Sequence, residues 1–202
     1  LRFDKDDNLY VSDSFNHRIQ VFTKGGTFLR KFGEYGDGNG QLNLPWGLDI
    51  DSEGCVYVAD WRNARVQKFS PEGDYMATFG GPGSGEGELE RPSSVAIDKD
   101  GDVYVVDWGA NRLKIYEPDG SYILTLAGDA DQLPKWQQAR VDSSTVVTRA
   151  RQRADLSTEK IFKRPVTVQV DDEGRIIVLE AVGNRLQVYI KEQDWIDPPF
   201  NQ

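Results

Sequence analysis

"VADWRNARVQKF" (58–69) is the stretch on which the reading of the chain turns. An apolar run ends in Asp60, a short polar loop follows, and Arg65 opens a second alternating run. Residues 105–116 read "VVDWGANRLKIY", residues 11–22 read "VSDSFNHRIQVF" and residues 178–189 read "VLEAVGNRLQVY". The same acid–loop–Arg phrase therefore recurs at intervals of 47, 47 and 73 residues.

Widening the window extends the likeness to 1–22, 48–69, 95–116 and 168–189. The acids fall at Asp13, Asp60, Asp107 and Glu180, and the arginines five residues later at Arg18, Arg65, Arg112 and Arg185. An asparagine stands in each loop between them: Asn16, Asn63, Asn111 and Asn184. Self-similarity at such a period marks a repeat architecture. In the second copy Leu48–Asp51 reads as a short inner strand and "DSEG" as a turn that Gly54 permits. "CVYVAD" and "RVQKF" alternate like half-buried antiparallel strands, "SPEG" turns, and "YMATFG" supplies a fourth strand. Four antiparallel strands every 40–50 residues predict an all-β propeller of four-stranded blades, about 1–33, 45–80, 92–128 and 165–190. A β-solenoid would need a shorter period.

The order Pro–x–Gly (Pro45, Trp46, Gly47), inner strand, Asp, Gly turn, "VYVAD", "NxR" and "hQhF" (h, apolar) resembles NHL repeats. The likeness covers nearly the whole chain outside the 26-residue excess between the third and fourth copies. It implies a ring of six blades, of which about four are visible. The first copy lacks the Pro–x–Gly, and "KEQDWIDPPFNQ" after Ile190 is a poor strand. The expectation is that about two further blades precede Leu1.

With 202 residues the chain can form one large domain or two small ones, and 38% hydrophobic residues allow a core. The net charge of −9 argues against general nucleic-acid or anionic-membrane binding. Cys55, the single cysteine, can form no internal disulfide and reads as a core residue. No run approaches the roughly 18–20 apolar residues of a membrane span. No targeting signal is visible, and the compartment is left open.

The acid–Arg pairs read as structural, since they recur in every blade and an active site is needed once. Strand alternation puts the acid–Arg loops on one face with "GEYGDGNGQLNLPW" (33–46), "GGPGSGEGELERPS" (80–93) and the excess within 128–165. That face would gather Phe15, Tyr35, Trp46, Trp61, Trp108 and Trp136. Aromatics on loops mark interfaces, although Trp46, Trp61 and Trp108 could instead pack between blades. Residues 129–164 are expected to be a helical insertion, with "SSTVVTRARQRADL" carrying Arg149, Arg151 and Arg153. From Lys135 to Arg164 eight Lys/Arg stand against three Asp/Glu, in a chain otherwise strongly acidic. That stretch could meet a partner or fold back on its own ring.

The resemblance also reaches amidating lyases and lactonase-like hydrolases. The lyases hold a metal with histidines; here the one histidine, His17, aligns with Ala64, Asn111 and Asn184. The Gly-rich loops lack the Lys–Ser/Thr ending of a P-loop, and "DGNG" (37–40) could offer oxygens to Ca²⁺ but misses the EF-hand spacing. No catalytic set, metal site or cofactor is expected. The reading is a platform that binds a protein or peptide through the loop face. A lyase or hydrolase with a metal in the central channel is the alternative, and nucleic-acid binding through the basic insertion is the third reading.

Overall fold

The computed structural model describes residues 1–128, 143 and 161–191. The helical insertion expected over 129–164 lies outside the described residues except for Ser143 and 161–164. So do Trp136, Arg149, Arg151, Arg153 and everything after Lys191.

The described strands form four antiparallel sheets, each in simple sequence order. Blade 1 holds β1 (Arg2–Phe3), β2 (Leu9–Asp13), β3 (Arg18–Phe22) and β4 (Phe28–Phe32). Blade 2 holds β5 (Pro45–Ile50), β6 (Val56–Asp60), β7 (Arg65–Phe69) and β8 (Tyr75–Gly80). Blade 3 holds β9 (Pro92–Ile97), β10 (Val103–Asp107), β11 (Arg112–Tyr116) and β12 (Tyr122–Leu126). Blade 4 shows three strands among the described residues: β13 (Pro165–Val170), β14 (Arg175–Glu180) and β15 (Arg185–Ile190).

One device turns the first strand into the second in every blade. The carboxylate of Asp51 accepts from the Glu53 and Cys55 N–H groups. Asp4, Asp98 and Asp171 accept from the corresponding N–H groups of their own turns. An Asp side chain that captures backbone two and four residues on fixes a tight reversal.

The cores lie between blades. Tyr10, Val21, Phe32, Leu48 and Phe69 join blades 1 and 2. Tyr57, Phe79, Val95, Val105 and Tyr116 join 2 and 3, and Ala96, Leu113, Val168 and Val178 join 3 and 4. Among the described residues, the long connections place Leu42, Leu89 and Phe162 in the cores beneath them. The half-buried alternation expected of the second strand is corrected here: β6 and β10 are buried along their whole length. A neighbouring blade covers each of their faces, so Val, Tyr and Ala stand on both sides. Towards the axis the inner strands approach closely. A Cβ on Gly47 would meet the Ser93 carbonyl oxygen and Ser94 Cα at 2.7 Å, so β5 and β9 can pass only with glycine there.

Candidate functional site

The acid–Arg loops sit over the long connections, and in blade 2 the two are laced together. Asp60 is 0% exposed. Its carboxylate accepts from Asn63 Nδ2, Arg65 Nε and Gln67 Nε2, and from the Asn43 N–H. Arg65 passes on through Nη2 to the Gly38 and Gln41 carbonyls, and Asn63 Nδ2 also donates to the Gly36 carbonyl. The Gly-rich loop thus turns its carbonyls inward to protein donors.

Blade 1 repeats the lock, with Asp13 accepting from Asn16, Arg18 and Gln20. Blade 4 repeats it with Glu180, Arg185, Gln187 and the Lys163 N–H. The surroundings divide the acids. Hydrogen bonding from Asn16, Arg18 and Gln20 holds the Asp13 carboxyl below the usual range, whereas burial pushes Asp60 up despite the same donors.

Blade 3 breaks the pattern, which corrects the expectation of a fourth pair. Asp107 and Arg112 are cross-strand neighbours in the β10–β11 ladder, yet no ion pair joins them. Asp107 is 1% exposed and its two oxygens accept from the Glu90 and Arg91 N–H groups. Arg112 is exposed.

The cause lies one blade back. At two of the three described junctions, the residue before the blade's leading proline donates its N–H to the fourth residue after the preceding blade's acid. Leu44 donates to His17 Nδ1, and Arg164 to Asn111 Oδ1. For Arg91 that fourth residue is Ala64, which offers no side-chain acceptor. Leu44 and Arg164 have positive φ; Arg91 does not, and its N–H turns to Asp107 instead.

Sequence compounds the effect. In register, Ala110 replaces Asn63 and Lys114 replaces Gln67. Lys114 is buried and its ammonium donates to the Gly85, Glu86 and Glu88 carbonyls, taking over the loop carbonyls that Arg65 holds in blade 2. Burial lowers the Lys114 pKa. A cavity of about 300 Å³ opens there, lined by Glu88, Glu90, Asp107, Ala110, Arg112 and Lys114 among others.

The aromatics divide between the surface and the joints between blades. Phe15 is 89% exposed, Tyr35 68% and Trp46 51%. Tyr35 stands edge-on to His17 at 4.8 Å, and Ser14 Oγ donates to the Pro45 carbonyl, so these groups share the junction of blades 1 and 2. Trp61 is half-buried, edge-on to Trp46 at 5.4 Å, with Arg91 5.0 Å and Arg62 5.8 Å from its ring. Trp108 lies beneath Arg164 at 5.9 Å. Each of these two Trp residues follows the acid and carries an arginine from the next blade. Phe15 is offset by one residue and aligns with Arg62, which is why it projects. Sequence reading missed Arg62, Arg91 and Lys114; only Lys114 had a signal, as a cation where the other copies have Gln.

Comparison with known proteins agrees with this geometry. Residues 1–84 match the family model of the SMP-30/gluconolactonase/LRE-like region, and residues 48–140 match that of a 6-bladed beta-propeller. RING finger protein nhl-1 of Caenorhabditis elegans is 58% identical over 36 residues, 18% of this chain and 4% of that protein. These matches support an NHL-type β-propeller.

Solved propellers share its fold. A catalytically inactive virginiamycin B lyase from Staphylococcus aureus, solved with quinupristin, aligns over 96% of this chain and 55% of its own, with TM-score 0.58 and 11% identity. A structural-genomics protein from Bacteroides thetaiotaomicron aligns over 93% and 46%, with TM-score 0.63 and 22% identity. The chain thus spans about half the length of these propellers, and at such identities the likeness is one of fold. Among the described residues no group of three or more His, Cys, Asp or Glu could hold a metal ion, and no helix is long and apolar enough to cross a membrane.

Proposed function

We propose that this propeller is a preformed platform that binds a protein or peptide on the face carrying the acid–Arg loops. The observation that carries the reading is the exposure of Phe15, Tyr35 and Trp46 on the loops at the junction of blades 1 and 2, with Trp61 edge-on to Trp46 and close to Arg62 and Arg91. Large aromatics and arginines are the residues that dominate binding energy at interfaces. Here a tied-down loop holds two of them: between Tyr35 and Trp46 the Gly36, Gly38 and Gln41 carbonyls are bonded by Asn63 and Arg65, and little ordering entropy remains to be lost on binding.

The test is selection of peptides from a displayed library on the full chain, followed by titration against variants. Phe15→Ala with Trp46→Ala should weaken the selected peptide at least about tenfold, as loss of two aromatic anchors implies. Lys24→Ala, at an exposed turn at the opposite end of the strands, should leave binding unchanged. Equal binding by the aromatic double variant would reject the platform.

A further inference from the structure

Blade 3 is the described blade whose buried acid has lost every side-chain donor its counterparts keep. In blade 2, Asn63, Arg65 and Gln67 donate to Asp60. In blade 3 the same three positions hold Ala110, which has no donor, Arg112, which is exposed and makes no bond to Asp107, and Lys114, whose ammonium is engaged by three carbonyls. Asp107 keeps two backbone donors and spare acceptor capacity on both oxygens. The cavity of about 300 Å³ lies on this side of Asp107, where blades 1, 2 and 4 place an arginine of their own.

We propose that this cavity is a socket for the guanidinium of an arginine side chain presented by the protein or peptide bound on the loop face. The proposal rests on the platform reading above. Three acidic residues, Glu88, Glu90 and Asp107, line it against the two basic ones, Arg112 and Lys114; the Lys114 ammonium is already saturated by three carbonyls, and Glu88 accepts from the Gly85 N–H. Its volume is at the lower end of ligand pockets and suits one long side chain. Guanidinium fits better than ammonium, because a planar fork can donate to a carboxylate and a neighbouring acceptor together, as Arg65 does to Asp60 and the Gly38 carbonyl. Arg112, exposed and itself among the residues lining the cavity, is the internal competitor.

The test titrates the full chain with acetyl-Gly-Arg-Gly-amide, its lysine analogue and free arginine, while following the Glu90 and Arg91 amide resonances. The arginine peptide should shift both saturably, with the lysine analogue about fivefold weaker or more, reflecting the lost fork. Ala110→Asn with Lys114→Gln restores the donors found in blade 2 and should fold normally yet bind at least about tenfold more weakly. Asp107→Asn should abolish the shifts. Absence of a saturable shift, or full binding by the restored double variant, overturns the socket. Free arginine binding tenfold more tightly than the blocked peptide overturns its assignment to a partner's side chain. A selected peptide that depends on Trp46 without moving Glu90 or Arg91 sinks the socket alone. Arginine uptake combined with Trp46-independent peptide binding sinks the platform alone.

Discussion

Blades 2 and 3 have the same strand order, the same turn chemistry and the same acid–Arg phrase, yet one is locked and the other is open. In blade 2 the acid, the arginine and the long loop form one closed network. In blade 3 the acid serves the backbone, a lysine serves the loop, and the arginine is released. A missing acceptor at Ala64 and the substitutions at Ala110 and Lys114 accompany the change. A repeat can therefore turn a structural bolt into a vacancy without altering its most visible residues.

The comparison breaks most sharply if its two arginines behave alike. Arg65→Ala strands a buried carboxylate and should cost about 3–5 kcal/mol in denaturant unfolding. Arg112→Ala, at an exposed unpaired position, should stay within about 0.5 kcal/mol. Next in size is the inner seam between the same two blades. Gly47→Ala drives a Cβ into the Ser93–Ser94 backbone and should cost about 1–3 kcal/mol, while Gly81→Ala, with no atom within 4 Å, should be near neutral by thermal unfolding.

Ala64→Asn sharpens the comparison from the opposite direction. Asn tolerates the left-handed conformation that Ala64 holds and supplies the acceptor that Arg91 lacks. It should return the Asp107–Arg112 pair, visible as a slowed Arg112 Nε–H exchange, with a gain of about 0.5–1 kcal/mol.

The smallest effect is the pH dependence of blade 1. The Asp13 carboxyl is held below its unfolded value, so its contribution is present above about pH 4 and is lost as pH falls through the folded pKa. Because Asp13 is partly exposed, Asp13→Asn should flatten the acid limb of stability only slightly, by less than about 1 kcal/mol between pH 5 and pH 2.

The blade unit was legible because its determinants are local: alternation along strands, Asp and Gly at turns, and a fixed period. Three acid–Arg pairs were legible for the same reason, since acid and arginine face each other across one loop. The fourth was misread because its fate depends on Ala64, Arg91 and Lys114, which the chain brings together from two blades. The tryptophans were ambiguous likewise. Trp61 and Trp108 owe their half-burial to Arg91 and Arg164 of the following blade, so nothing adjacent in sequence marks them.

By itself the sequence determined a propeller of repeated four-stranded antiparallel blades, because strand period and turn residues act within a few positions. Only the tertiary structure decided which acid remains without a side-chain donor and which aromatics remain exposed. Those outcomes are competitions for hydrogen-bond acceptors and covering side chains between neighbouring blades, and they are resolved only when the blades pack.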